Sequence, residues 1–390
     1  MCKKLNRRDF FKDIAKLGLS AAGGAVLPPA LQALLDFESE SLAAGKNSAV
    51  SYANYPEAQY YRKLNDGQVQ CFLCPNHHIM KPGEVTYCRT RINHQGTLRV
   101  LAYNNPCILN IDEIEKGPFY HFLPGTKSLA LGIGGCNLRC LYCQNWEASQ
   151  ERPDQTNNIL DLPKEEVAKG ADEKKCRTIC YTYTEPVVYL EYIKEAAAYT
   201  SARGIRNVVC TAGFINPEPL KDMCRHIDAF AVTLKAFNDK FYQKICGQTM
   251  APVLKSMEFI KEQNKWLGII NLIVPTYNDD MKVIEEMCQW VKEHLGAETP
   301  IHFGRFMPEY KLRDLPQTPI KIIDQARQIG LEAGLKYVYT FNVAPHEGNN
   351  TFCPNCGKAI IKRLGFKILE NNCPNGACKL CGTKLPGVWE

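Results

Sequence analysis

The sequence predicts an α/β fold: a run of parallel strands closed into an open or partial barrel, flanked by small cysteine-rich segments. Three observations carry this. From about residue 125 to 345, short β-branched or aromatic runs alternate with longer segments whose apolar residues recur at spacings of three and four. Those longer segments often close on Gly, as helices do. No G-x-G-x-x-G or G-x-x-x-x-G-K-S loop accompanies the alternation, which argues against a doubly wound nucleotide-binding sheet.

Residues 1–50 read as an export signal and linker. "NRRDFFKDIAKLGLSAAGGAVLPPALQALL" carries twin arginines, Arg7 and Arg8, ahead of a mildly apolar stretch broken by Pro28 and Pro29. That pattern is twin-arginine-like, and it is too short and broken for a transmembrane span. Residues 55–124 hold the first cysteine cluster. Within 125–345 the strand candidates are "SLALGIG", "TICYTY", "NVVCTAG", "AFAVTL", "LGIINLIV", "PIHFGRF" and "YVYTFNV". The helix candidates between them are "PVVYLEYIKEAAAYTSARG", "APVLKSMEFIKEQ", "DMKVIEEMCQWVKEHLG" and "TPIKIIDQARQIGLEAG". Such alternation implies crossover helices on a parallel sheet. Residues 346–390 form a second cysteine module.

Composition narrows the function. Of 390 residues, 45% are hydrophobic, enough for a sizeable core, and the formal net charge of +6 comes without a dense basic tract. A nucleic-acid partner is therefore not expected. Nineteen cysteines in a large chain with CxxC pairs point to metal rather than to a disulfide framework, and to a reducing setting. The scattered singles, among them Cys107, Cys180, Cys210 and Cys246, read as small buried hydrophobes.

"GIGGCNLRCLYCQNWE" places Cys136, Cys140 and Cys143 within eight positions, just after the first strand of the series. Spacings of four and three could make one buried helical stripe. Gly132, Gly134 and Gly135 argue instead for a loop that approaches a ligand. Ligands in such folds bind at the carboxyl ends of strands. Three thiolates there can hold three irons of a [4Fe–4S] cube and leave the fourth iron open for a second molecule.

C-x3-C-x2-C with an aromatic, Tyr142, before the last cysteine resembles the signature of radical S-adenosylmethionine (SAM) enzymes. "GCNLRCLYCQN" is similar to the pyruvate formate-lyase activating enzymes, and the chain from about 60 to 388 resembles the AmmeMemoRadiSam-system type. The resemblance implies a partial (β/α)6-type barrel. It implies a [4Fe–4S] cluster, S-adenosyl-L-methionine, and a flavodoxin or ferredoxin as electron donor. The implied chemistry is reductive cleavage of SAM to a 5′-deoxyadenosyl radical that abstracts hydrogen. It assigns Thr184 and Glu185 of "YTYTEP" to the SAM amino group, Lys235 of "AVTLKAFND" to its carboxylate, and Val274 and Pro275 of "NLIVPTYND" to the adenine. His302 of "IHFGRFMPEYKL" matches a SAM-contacting position. Activating enzymes commonly carry Asp at Thr233 and D-T-N-G where this chain reads "CTAGF", with Cys210 and Ala212. Those carboxylates help hold a cation, so that site is expected to be absent or rebuilt.

"CPNCG" and "CKLCG" supply Cys353, Cys356, Cys378 and Cys381, a set suited to structural Zn or a rubredoxin-type Fe. "CFLCPNHHIMKPGEVTYC" supplies Cys71, Cys74, Cys88 and one of His77 or His78, a Zn site or a further cluster. Relatives often have a cysteine where His78 stands. Three functions remain: activation of a glycyl-radical protein, direct action on a small molecule or protein side chain, or a non-catalytic iron–sulfur or zinc electron carrier or scaffold. The chemistry is expected in the cytoplasm, with the signal-like N-terminus making export an alternative.

Overall fold

The computed structural model describes residues 51–390, and the twin-arginine segment with Arg7 and Arg8 lies outside them. Tyr55–Glu390 forms one compact unit. It opens with a small antiparallel sheet of β1 (Tyr61–Lys63), β2 (Val69–Cys71) and β3 (Ile79–Met80) and a hairpin of β4 (Arg91–His94) and β5 (Thr97–Val100). The main sheet follows. Its strands are β6 (Ile108–Glu113), β7 (Lys127–Gly132), β8 (Cys176–Tyr181), β9 (Arg206–Thr211), β10 (Ala229–Thr233), β11 (Trp266–Ile273), β12 (Ile301–Arg305) and β13 (Val338–Phe341). They lie side by side in chain order, with β6 antiparallel at one edge and β7 to β13 parallel. Each of the seven parallel strands coincides with one of the seven apolar runs.

The crossover helices are α1 (Lys164–Lys174), α2 (Leu190–Ser201), α3 (Pro217–His226), α4 (Ala251–Glu262), α5 (Met281–Leu295) and α6 (Ile320–Glu332). Val209, Val232 and Ile269 are fully buried, as strands covered on both faces require. Helix ends follow their chemistry. Asp280 caps α5 by accepting from the Lys282 amide at 2.9 Å, and Gly296 ends it at φ +92°.

The segment between β6 and β7 fills one end of the sheet's concave side. Ile114, Phe119, Phe122 and Leu123 pack against Ala130, Cys180, Val208, Ala229 and Ala231. Small residues on the strands leave room for this plug. The C-terminal strap ties it down, with the Leu123 amide donating to the Val388 carbonyl at 2.7 Å and the Val388 amide to the His121 carbonyl at 2.8 Å. A last antiparallel sheet, β14 (Thr351–Phe352), β15 (Ala359–Leu364) and β16 (Lys367–Asn371), carries the C-terminal cysteines. Arg363 of β15 is buried against Glu115 of the plug at 3.6 Å and over the Tyr120 ring at 4.1 Å.

Candidate active site

The three-cysteine loop leaves the carboxyl end of β7 as an irregular strap, not a helix. Gly135 has φ +98°, and a Cβ there would stand 2.4 Å from Thr90 Cγ2 and 2.7 Å from the Cys88 carbonyl oxygen. Only glycine tolerates both demands. Backbone bonds tie the loop to the segment after β10: Arg139 N donates to Cys246 O at 2.8 Å and Leu141 N to Ile245 O at 3.0 Å. The Arg139 guanidinium folds back onto the Cys136 and Leu138 carbonyls at 2.9 Å and lies over the Tyr87 ring at 3.8 Å. Asn137 donates to the Phe214 carbonyl at 2.7 Å, and Asn145 to the Tyr183 carbonyl at 2.7 Å.

Cys136, Cys140 and Cys143 then line one cavity of about 540 Å³ at the carboxyl ends of β7 to β11. Thr184, Glu185, Lys235 and Tyr142 line it with them. The Thr184 hydroxyl donates to the Ile133 carbonyl at 2.6 Å, bracing the entry to the loop. Glu185 accepts from the Thr211 hydroxyl at 2.5 Å, the Ala212 amide at 2.8 Å and the Val187 amide at 3.2 Å. Burial raises its pKa from the ordinary carboxylate value despite those donors. Burial pulls the Lys235 ammonium down, but the facing thiols of Cys140, Cys246, Cys143 and Cys136 outweigh it and its net shift is upward. Among the described residues no carboxylate lies within ion-pair distance of Lys235. Burial raises Cys136 and Cys143, whereas a hydrogen bond from the Cys246 thiol holds Cys140 below the usual thiol range. Tyr142 is 4% exposed, with its hydroxyl buried beside the Cys246 thiol.

This donor set fits the cluster and cofactor that the sequence implies. The loop thiols form no disulfide. Among the described residues the only group of three or more His, Cys, Asp or Glu side chains with ligand atoms all within 4.8 Å of one another is Cys353, Cys356, Cys378 and Cys381. The loop trio stands wider, which suits a multi-iron cube rather than a single ion. A cation, Lys235, and a carboxylate, Glu185, lining one cavity suit a zwitterionic amino acid.

Three residues of the expected cofactor set do not line this cavity. His302, second in β12, pairs in register with the cavity residue Ile270 but is covered by Tyr120. It is 1% exposed and packs on Tyr339 and Tyr120 at ring distances of 4.8 and 4.7 Å, with burial holding its pKa down to about 3. Val274 and Pro275 follow β11 at the correct end, but the cavity floor there is Ile270 and Leu272 and neither residue lines it. A strand's apolar pattern gives its identity but not which neighbouring segment covers a given side chain.

At the N-terminal cluster Cys71, Cys74 and Cys88 are all buried. Their neighbours already use the other polar atoms: His78 Nδ1 accepts from the Tyr87 amide at 2.7 Å, and Cys88 Sγ sits 3.1 Å from both the Thr86 and Thr90 hydroxyls. At the C-terminus, Cys353 and Cys381 sulfurs are 3.5 Å apart and Cys356 and Cys378 sulfurs 4.0 Å apart. Gly357 and Gly382, at φ +69° and +76°, turn the backbone behind each pair.

Sequence reasoning missed several cavity residues. Cys210 and Cys180, read as inert hydrophobes, both line the cavity, as do Asp112 and Lys116 from the β6 edge. Cys246 lies against Cys140. The signal for Cys210 is its place in "CTAGF", where activating enzymes commonly carry D-T-N-G.

Residues 131–291 match the family model described as the Radical SAM superfamily. An uncharacterized protein of Methanocaldococcus jannaschii is 44% identical over 331 residues, covering 84% of this chain and 98% of that protein. The pyruvate formate-lyase 1-activating enzyme of Escherichia coli is 24% identical over 160 residues, 40% of this chain and 65% of that enzyme. Among solved structures, a domain of pyruvate-formate lyase-activating enzyme from Bacteroides vulgatus aligns with a TM-score of 0.37 at 17% identity, covering 41% of this chain and 96% of that one.

Proposed function

The chain belongs to the radical SAM superfamily and is an enzyme of it, and we propose that it splits SAM reductively to abstract a hydrogen atom from a substrate held in the cavity beside Cys136, Cys140 and Cys143. The observation that carries this reading is the convergence of those three thiols, Lys235 and Glu185 on one cavity. A four-iron cluster on the three thiolates would supply the electron that divides the sulfonium into methionine and a 5′-deoxyadenosyl radical.

The chain's own residues do the rest. Lys235, without a carboxylate partner among the described residues, takes the SAM carboxylate by charge-assisted hydrogen bonds. Glu185 keeps acceptor capacity beyond its three bonds and receives the ammonium. Thr211 and the Ala212 amide fix the Glu185 carboxylate in place. Leu138, Ile270 and Leu272 contribute apolar wall and keep water from the reacting atoms. The electron donor is a flavodoxin or ferredoxin. The C-terminal four-cysteine group holds a structural Zn or Fe.

For the substrate, likeness to activating enzymes supports removal of a glycine α-hydrogen from a glycyl-radical protein. A second reading, direct action on a small molecule or side chain, is favoured by one observation. The cavity continues past the cysteine loop to Asp112, Lys116 and Cys210, leaving room beyond SAM. The test is anaerobic reconstitution with iron and sulfide, followed by a dithionite-driven assay for 5′-deoxyadenosine, with Cys140→Ala as control. Formation that vanishes in the variant is expected. A fully formed cluster that yields no 5′-deoxyadenosine would return the chain to the electron-carrier or scaffold reading.

A further inference from the structure

The cavity holds two thiols that cluster binding does not use. Cys180 of β8 and Cys210 of β9 stand on neighbouring parallel strands and point to the same side, with their sulfurs 3.9 Å apart. Both line the cavity that contains the three-cysteine loop. Cys210 is part-buried, and its thiol donates to the Gly117 carbonyl at 2.9 Å, itself a cavity residue, so the S–H is held along the wall. Cys180 is 3% exposed and sits behind it against Ala130 and Val208.

An S–H bond is weaker than most C–H bonds, so a thiol surrenders its hydrogen atom readily to a carbon-centred radical. A thiol in a cavity where such a radical is made is either a hazard or a tool. Here one is oriented by a backbone acceptor and backed by a second.

We propose that Cys210 is a catalytic hydrogen-atom donor that returns a hydrogen to the substrate radical. The proposal rests on the SAM-cleaving reading above. The Cys210 S–H bond breaks homolytically, a C–H bond forms on the substrate carbon, and a thiyl radical remains on Cys210. Cys180 can pass its own hydrogen atom to that thiyl across 3.9 Å, moving the unpaired electron one sulfur deeper. One electron from a low-potential iron–sulfur or flavin protein and one proton from water restore the thiol. The substrate leaves closed-shell, having lost one hydrogen atom and gained another. The reaction class is therefore a rearrangement or stereochemical inversion at carbon, not the deposition of a stable radical on a partner protein.

The test needs no substrate, because without one the 5′-deoxyadenosyl radical made in the cavity that Cys210 lines takes the place of the substrate radical as hydrogen acceptor. The reconstituted enzyme cleaves SAM in D2O, in buffer free of added thiols, and the isotopic content of 5′-deoxyadenosine is read by mass spectrometry. Thiol hydrogens exchange with D2O and carbon hydrogens do not. The expected result is 5′-deoxyadenosine carrying one deuterium from the wild type. That deuterium is lost in Cys210→Ala and equally in Cys210→Ser, whose hydroxyl keeps the bond to Gly117 but holds its hydrogen too tightly. Because the readout is an isotope ratio, it does not depend on yield. Deuterium-free product from the wild type, or deuterium that persists in both variants, overturns the proposal. Absence of any 5′-deoxyadenosine overturns the SAM-cleaving reading and this one with it. Alkylation of the cluster-free protein with iodoacetamide, mapped by peptide mass spectrometry, gives an independent readout. Cys210 is expected to react ahead of Cys180, and an unreactive Cys210 overturns its placement in an accessible cavity.

Discussion

The Arg91 guanidinium, fully buried in β4, grips both carboxylate oxygens of Glu191 at the start of α2, at 2.8 and 2.6 Å. A second arm of Arg91 reaches the Val188 carbonyl at 3.1 Å, and the Gln59 amide donates to Glu191 at 3.0 Å. This pair fastens the N-terminal hairpin to the helix that follows the second parallel strand. Removing one partner strands a buried charge, which costs roughly 3–5 kcal/mol. Arg91→Ala is expected to lower the unfolding free energy of the cluster-free protein, read from urea melts, by that amount. The double variant Arg91→Met with Glu191→Leu is expected to recover most of it. A single variant as stable as the wild type would mean that water already reaches this pair.

The C-terminal sulfurs, all within 4.8 Å, predict one tightly held metal ion per chain. Elemental analysis after exhaustive chelation of the loosely bound metal is expected to retain one Zn or Fe per chain, and Cys353→Ala is expected to lose it. Metal loss should speed hydrogen exchange across β14 to β16 while the parallel strands stay protected, since binding and folding of such modules are coupled. Unchanged exchange there on metal loss would mean that the Arg363 anchor, not the metal, holds this sheet.

Gly135→Ala would drive a methyl group into Thr90 and the Cys88 carbonyl at a backbone angle that L side chains rarely adopt. The loop must then shift, and the three thiols with it. Iron bound after reconstitution is expected to drop several-fold. Gly204→Ala serves as control, because its φ of +75° is equally left-handed while nothing lies within 4 Å of the new Cβ. Equal iron content in the two variants would show that the contact between residue 135 and Thr90 does not set the loop.

His121 is buried in the plug, with Nε2 2.6 Å from the Tyr339 hydroxyl and Nδ1 2.9 Å from the Pro386 carbonyl, and burial holds its pKa down to about 4 from 6.5. Above pH 6.5 folded and unfolded chains both carry it neutral, and stability is complete. As the pH falls from 6.5 toward 4 the unfolded chain takes up a proton that the folded chain refuses. Stability then declines, by about 3 kcal/mol for this group. Urea melts across that window are expected to show the decline in the wild type and a flatter profile in His121→Gln. Parallel profiles would place the acid sensitivity elsewhere, with His302 the next residue to test, since burial holds it down to about 3.

The sequence alone determined whatever depends on near neighbours along the chain. Seven apolar runs became seven parallel strands because a buried strand must be apolar throughout its length. The glycines ahead of Cys136 and behind the two C-terminal CxxC pairs announced tight loops because positive φ is a local property. The strand order was enough to place Thr184, Glu185 and Lys235 just past β8 and β10, at the carboxyl ends of the sheet, where they line the cavity. Only the tertiary structure decided the rest. His302 stands level with the cavity residue Ile270 but is covered by Tyr120 of the plug, and Val274 and Pro275 follow Leu272 without lining the cavity, because what covers a side chain is set by packing. The plug of residues 114–123, the Arg91–Glu191 pair and the meeting of Cys180 with Cys210 join positions far apart in the chain. Their partners are chosen by packing, which no spacing of residues along the chain records.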